Sequence, residues 1–338
     1  MDESIPKLTP RSPSRRRIRT EFTKIPTPQP AGSWHTNKTL WLLVATFILG
    51  ISVGIKVDRQ GWSLELPKLI KTAVAPSPSG TGSIVSITEV LPPSVNLDVK
   101  WGDVIVKMVR SGAVDKQKFL ALYEGRQADL DQAKQLLESP SNTDIVITQA
   151  NSGLILNLLW PLGIANKTDV LAKGPMGTQY KKEIGNFAST GGWTLGAKDG
   201  GKLFNSLNLI SLTSDQESLV TEISQNIYRP CCGNSTYFPD CNHGAAMLGF
   251  IELAVASGLS KDQIYRNALA LNSYWFPQTY AEIATYMKAK RNIVWKNVNP
   301  MEALGVEYSS GQGAGKVNKE LQSTGLVPKV QGGGGCGV

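Results

Sequence analysis

Residues 243–290 read HGAAMLGFIELAVASGLSKDQIYRNALALNSYWFPQTYAEIATYMKAK, and this stretch decides the fold class. An apolar helix runs up to the break at Gly258. Ser260 is a suitable N-cap for a second, amphipathic helix, which Pro277 ends. Residues 278–290 form a third helix. Three successive helices of this length indicate a mainly α domain.

The same helical period recurs upstream. It is visible in residues 103–110, 130–138 and 214–228. Residues 144–148, with the sequence DIVIT, are the best strand candidate. We therefore predict a mostly helical domain with little strand.

The composition fits a globular protein and argues against nucleic-acid binding. The chain has 338 residues, of which 41% are hydrophobic and 18% are charged, and its net charge is +8. Eight Lys and Arg residues against three acids in residues 1–38 account for +5 of that charge. The remaining residues are nearly neutral and offer no basic surface to a phosphate backbone. No nucleic-acid partner is expected.

An uncharged apolar run near the N-terminus is typical of a membrane anchor. Residues 39–57 are just long enough to cross a ~30 Å hydrocarbon layer as a helix. Trp41 and Trp62 lie near its two ends, where aromatic rings prefer the interface. Because the basic cluster precedes the run, we predict a single-pass protein of the cell membrane, with a cytoplasmic N-terminus and an extracytoplasmic body. A cleaved signal peptide or a buried core helix is the alternative.

Composition also divides the rest of the chain. Residues 1–38 are predicted to be a disordered basic cytoplasmic tail, and residues 58–94 a Pro/Ser/Gly-rich linker. Residues 95–291 form the helical extracytoplasmic domain. Residues 292–338 are predicted to be a flexible Gly-rich tail. It contains Cys336, to which the sequence assigns no role.

Three of the four cysteines share one loop with a histidine. The loop, residues 230–244, contains Cys231, Cys232, Cys241 and His243. Prolines and glycines on both sides predict tight turns. We therefore expect the four side chains to converge.

The loop leads directly into a helix, and Asp240 or Asn242 is the predicted cap. This places Cys241 and His243 at the helix N-terminus, where the partial positive charge favours a thiolate. Met247 lies one turn beyond His243 and is a further candidate ligand.

Thiolate and imidazole ligands indicate a soft or borderline metal ion, copper or zinc. The first prediction is therefore metal binding or thiol handling through the four residues of the loop. Alternatively, a disulfide from Cys231 or Cys232 to Cys241 would staple a non-catalytic interaction or scaffold domain. A second alternative is an envelope hydrolase with Cys241 as nucleophile and His243 as base, for which Asp240 is the nearby acid. The sequence does not decide whether the protein is an enzyme, which metal it takes, or its protein partners.

The run NIYRPCCGN at residues 226–234, followed by CNHG at residues 241–244, resembles a family of membrane-anchored bacterial proteins. Residues 100–103 (KWGD) and 185–193 (GNFASTGGW) match further parts of that pattern. The resemblance implies a membrane-anchored envelope protein and no particular activity. More remotely, the chain is similar to PCYCGC-motif envelope proteins and to the thiol proteins of cytochrome c maturation, although it has Cys-Cys where a Cys-x-x-Cys would stand.

Two other sequence features, a Gly-rich run and a single acid in an apolar helix, have simpler interpretations. The Gly-rich run at residues 185–192 lacks the Lys-Ser/Thr ending of a phosphate loop. We predict a turn near a site, with Asn186, Ser189 and Thr190 as polar contacts. Glu252, the one acid in the apolar helix after the cysteine loop, is predicted to face solvent.

Overall fold

The computed structural model describes residues 84–327, and helix is their main regular structure. The first half contains α1 (Ile87–Val90), β1 (Val95–Gly102), α2 (Val104–Ser111), α3 (Lys116–Ala121), α4 (Gln127–Glu138), β2 (Ser141–Ile147), α5 (Ser152–Ala165) and α6 (Asp169–Lys173). The second half contains a 3-10 helix (Ile184–Asn186), α7 (Gly200–Leu203), α8 (Ser214–Asn226), α9 (Asn242–Ala256), α10 (Lys261–Trp275), α11 (Pro277–Arg291), a 3-10 helix (Trp295–Asn297), α12 (Pro300–Ala303), α13 (Val306–Ser309) and α14 (Gly311–Ser323). The described residues are 57% helical and 8% strand, which confirms a mainly α fold with little strand.

Several predicted segments fall elsewhere in the chain. Four predicted features lie outside the described residues. They are the basic tail at residues 1–38, the anchor at residues 39–57, most of the linker at residues 58–94, and Cys336. Within residues 84–327, no helix has both the length and the apolar composition that a membrane span requires.

Helices α5 and α9 form the centre of the hydrophobic core. Every residue from Leu154 to Ala165 in α5 and from Gly244 to Val255 in α9 is buried. A helix that is apolar on all sides must be covered on all sides. The backbones of the two helices meet at Gly163 and Gly249. A Cβ atom on Gly163 would lie 1.8 Å from the Ala245 carbonyl oxygen.

The two strands pair antiparallel across the inserted helices α2 to α4. Val95 is opposite Ile147 and Gly102 is opposite Ser141, with an irregularity in between. The predicted strand at residues 144–148 falls largely within β2. Strand β1 was not predicted, although its side chains alternate between exposed and buried positions, as a half-buried strand requires.

The domain extends beyond its predicted limits of 95 and 291 on both sides. Val85 is buried in the core, and its N–H donates to Thr285 Oγ1 at 2.9 Å. The prediction of a flexible tail from residue 292 is wrong for residues 292–327, which form helices. In α14, Val317 and Leu321 are buried one turn apart and pack towards α11. Because α14 contains many glycines and polar residues, this narrow apolar stripe is difficult to recognise in the sequence.

Glu252 is fully buried, and the prediction that it faces solvent is wrong. Because α9 is covered on every side, no position on it is left for an exposed acid. Asn166 Nδ2 donates to Glu252 Oε2 at 3.0 Å, whereas Oε1 has no hydrogen-bond partner among the described residues. Burial raises the pKa of Glu252 well above its ordinary value, because a buried carboxyl group is more stable in its neutral form.

Replacing Gly163 by Ala should destabilise the protein by ~3 kcal/mol, because its methyl group would force two buried backbones apart. Gly153 is the matched control. It lies in the same helix, and an added Cβ there meets nothing within 4 Å. Urea denaturation followed by circular dichroism measures both variants. Equal stability of the two variants would contradict the close approach of α5 and α9.

Glu252→Gln should stabilise the protein at alkaline pH relative to the wild type. The folded-state pKa is raised, so between the ordinary carboxyl pKa and the folded value only the unfolded state ionises. Wild-type stability therefore falls as pH rises through this window, with a slope of up to about 1.4 kcal/mol per pH unit, and Gln removes that slope. Urea midpoints from pH 4 to pH 9 test this. Parallel stability curves for the two proteins would show that Glu252 is not a buried neutral acid.

Candidate metal centre

The loop between α8 and α9 is a hairpin. Tyr228 and Ser235 form an antiparallel bridge. The N–H of Thr236 donates to the Ile227 carbonyl at 2.8 Å, and its Oγ1 donates to the same oxygen at 3.0 Å. The chain therefore turns between these residues and returns towards the start of α9.

The C-terminal helices hold this hairpin in place. Tyr228 donates its N–H to the Leu304 carbonyl at 2.9 Å, and Gly311 donates to the Cys232 carbonyl at 2.7 Å. Tyr280 and Ser309 share a buried hydroxyl–hydroxyl hydrogen bond of 2.6 Å behind the hairpin. The segment predicted to be a free tail is thus part of the structure that supports the site.

The three cysteine sulfurs of the loop come together. Cys231 Sγ lies 3.4 Å from Cys232 Sγ and 3.6 Å from Cys241 Sγ. All three sulfurs lie within 4.8 Å of one another, and the three residues are half-buried free cysteines. The predicted convergence of the cysteines is therefore present in the structure.

Cys241 is itself the cap of α9. Its Sγ accepts the backbone N–H of Gly244 at 3.3 Å, at the position where a Ser or Asp side chain usually accepts. The predicted caps, Asp240 and Asn242, do not have this role. Cys241 nevertheless stands at the positive end of the helix, as expected, and its sulfur receives a donor that favours the thiolate.

A buried arginine lies against the same sulfur. Arg229 is 1% exposed and donates from Nε to Cys241 Sγ at 3.2 Å. Its two other nitrogens donate to the carbonyl oxygens of Asn234 and Phe238, at 2.9 and 3.0 Å, and to the Asp240 carboxylate. Every donor atom of the guanidinium group is thus engaged inside the loop.

Gly244 leaves the room that Arg229 occupies. A Cβ atom at Gly244 would lie 2.6 Å from the guanidinium carbon. The arginine therefore packs directly on the first turn of α9, where the helix dipole disfavours a positive charge. The Asp240 carboxylate and the Cys241 sulfur offset this cost.

The three thiols do not titrate alike. Hydrogen bonds from Cys231 and Cys232, aided by Arg229, lower the pKa of Cys241 well below its ordinary value, although burial opposes this. Hydrogen bonds to Cys232 and Cys241, together with burial, raise the pKa of Cys231. For Cys232 the hydrogen bond with Cys231 lowers the pKa, but the bond to Cys241 and burial outweigh it and raise the pKa to about 12. Among the three thiols, the surroundings therefore favour the thiolate form most strongly at Cys241.

His243 lies at the edge of the cluster. Its Nδ1 is 4.0 Å from Cys231 Sγ, and its ring packs near Phe276 and Trp275 at centroid distances of 4.5 and 5.9 Å. The ring nitrogen is not among the atoms that all lie within 4.8 Å of one another. Met247, the further candidate ligand, is 1% exposed and belongs to the hydrophobic core.

The Asp240 carboxylate is occupied by partners other than the histidine. One oxygen pairs with Arg229, and the other accepts from Asn234 Nδ2 at 2.8 Å. The predicted turn near the site is also present, because Ser189 donates its N–H to the Asp240 carbonyl at 3.0 Å. Ser189 and Thr190 are buried, and the Thr190 hydroxyl donates to the Ile184 carbonyl rather than to the cysteine loop.

The sulfur geometry fits one metal ion. Four ligands at ~2.3 Å around a tetrahedral zinc ion are separated by roughly 3.8 Å, which follows from the Zn–S bond length. The 3.4 and 3.6 Å separations around Cys231 are close to that value. The three sulfurs lie at distances that allow them to be three ligands of one ion, and His243 Nδ1 lies 4.0 Å from Cys231 Sγ.

Arg229 is the functional residue to which sequence reasoning assigned no role. A charged residue two positions before Cys231, in a chain whose charged groups are mostly exposed, was the available signal.

Comparison with known proteins finds no family model that matches the chain, and neither a curated protein nor a solved structure with significant similarity.

Proposed function

We propose that this protein binds one soft or borderline metal ion, zinc or copper, through Cys231, Cys232 and Cys241, with His243 as the fourth ligand. The observation that carries the proposal is the mutual approach of the three sulfurs within 4.8 Å. We further propose, from the sequence alone, that the site faces the extracytoplasmic side of a membrane in which residues 39–57 anchor the chain.

The surroundings of the sulfurs support a metal centre. The Gly244 N–H and Arg229 Nε both donate to Cys241 Sγ, and such outer hydrogen bonds orient and stabilise a metal-bound thiolate. The cysteines are half-buried, so an ion can reach them from solvent. Ions of this class also prefer sulfur and imidazole ligands over the carboxylates that dominate magnesium and calcium sites.

The other functions predicted from the sequence have less support. A cysteine hydrolase needs an acid to orient His243, but both Asp240 oxygens are engaged with Arg229 and Asn234. A disulfide staple requires one sulfur pair and leaves the approach of the third sulfur unexplained. Metal binding uses all three.

The full chain purified in detergent with a reductant should contain about one equivalent of zinc or copper, measured by mass spectrometry of the metal. Cys231→Ser and Cys241→Ser should lose it. His243→Ala should weaken binding by more than the roughly 10–100-fold that loss of an outer partner costs. Met247→Leu conserves core volume and is the matched control that should keep the metal. Equal metal content in the wild type and both serine variants would contradict the proposal that these cysteines bind the metal.

The topology proposal predicts the location of the C-terminus. A reporter that is active only outside the cytoplasm should work when it is fused after Val338, because the basic residues precede the apolar run. A cytoplasmic reporter at the same position should be silent. The opposite pattern of activity would show that the anchor runs the other way or is absent.

A further inference from the structure

The metal centre contains a sulfur pair that is poised to become a disulfide. Cys231 Sγ is the central sulfur of the cluster, 3.4 Å from Cys232 Sγ and 3.6 Å from Cys241 Sγ. A disulfide needs ~2.05 Å, so small side-chain movements could bring Cys231 into bonding range of either partner. Which pair forms depends on what the backbone permits.

The backbone disfavours a bond between the two adjacent cysteines. A disulfide between neighbours closes an eight-membered ring that twists the intervening peptide away from its planar trans form, at a cost in energy. The Cys232 backbone is also held on both sides, since its N–H donates to the Arg229 carbonyl at 3.2 Å and its carbonyl accepts from Gly311 at 2.7 Å. Twisting that peptide would strain the hydrogen bond from the Cys232 N–H, and the bond from Gly311 restrains the neighbouring peptide.

The bond between Cys231 and Cys241 has no such obstacle. The two residues lie on different segments, the hairpin turn and the cap of α9, so a bond across the 3.6 Å gap between their sulfurs does not twist a peptide shared by both. Arg229 loses only one of its partners when Cys241 becomes part of a disulfide. It keeps the Asn234 and Phe238 carbonyls and the Asp240 carboxylate.

We infer that oxidation joins Cys231 to Cys241 and thereby expels the metal ion, so that occupancy of the site is controlled by redox conditions. The inference rests on the proposed metal-binding function. Two of the three sulfur ligands are consumed by the bond, and a disulfide sulfur does not replace a thiolate as a ligand. Cys232 and His243 remain, and two ligands do not hold a zinc ion tightly.

The exchange balances with a small disulfide as the oxidant. The Cys241 thiolate attacks one sulfur of glutathione disulfide, forms a mixed disulfide and releases one glutathione thiolate. The Cys231 thiolate then attacks the Cys241 sulfur and releases the second glutathione. The protein loses two electrons and the glutathione disulfide gains them. Metal-bound cysteines are already deprotonated, so the two departing glutathione thiolates take up protons from solvent and the metal leaves as a free ion.

The test uses the full chain in detergent, loaded with zinc or stripped of it, and incubated with glutathione disulfide. Peptide mass spectrometry should find the Cys231–Cys241 bond, and a colorimetric chelator should detect one zinc ion released for each bond formed. Metal-free Cys232→Ser protein should form the same bond, whereas metal-free Cys241→Ser protein should not. The Cys232→Ser result shows that the third thiol is not needed for the exchange.

Three results would overturn the inference. A Cys231–Cys232 bond would show that the pairing is wrong. A Cys231–Cys241 bond that forms while zinc stays bound would show that oxidation does not control occupancy, as would zinc retained with all three thiols reduced. In these cases the proposed metal function stands. If the wild-type chain never takes up zinc or copper and still forms the bond, the metal function fails and the disulfide is a structural staple.

Discussion

The close contact between α5 and α9 is the constraint on which the site depends. Gly163 and Gly249 let two almost wholly apolar helices approach backbone to backbone, which buries α9 on every side. The direction of α9, and with it the position of its first turn, is therefore set by the core. Cys241 caps that turn, so the position of one sulfur of the cluster depends on the packing of the helix that it caps.

The second requirement is electrostatic. Arg229 is buried at the start of a helix, where neither burial nor the helix dipole favours a cation. Asp240 neutralises it, while Cys241 and two carbonyl oxygens take up its remaining donors. With the charges of Arg229 and Asp240 cancelled, three thiolates and one zinc ion would leave a single net negative charge. That charge lies beside the positive end of α9, which stabilises it.

The third contribution comes from the C-terminal helices. The Leu304 carbonyl and the Gly311 N–H bind the backbone of the cysteine hairpin, and α14 packs on α11 behind it. Asn272 in α10 adds a further hydrogen bond to the hairpin, from its Nδ2 to the Tyr228 carbonyl at 2.9 Å. The site is therefore assembled from one continuous segment, the hairpin and the core helix α9 that follows it, together with the helices after residue 300.

By itself, the sequence determined the fold class and the identity of the cysteine cluster. Periodicity and capping residues are local properties, so the helices that became α9, α10 and α11 could be predicted within a few residues. The Pro- and Gly-bounded loop indicated that Cys231, Cys232 and Cys241 would meet, because a short loop with tight turns has few ways to keep them apart.

Only the tertiary structure decided the burial of Glu252, the engagement of Arg229 and the order of the C-terminal segment. Each depends on contacts that no local pattern predicts: with Asn166 for Glu252, with Asp240 and the start of α9 for Arg229, and with α11 for α14. From sequence alone, a charged residue in an apolar helix is predicted to be exposed, because its tertiary neighbours are unknown. A Gly-rich helix is predicted to be a loop when the apolar face that it buries is narrow. Tertiary packing, which local sequence patterns do not encode, determines the environment of all three.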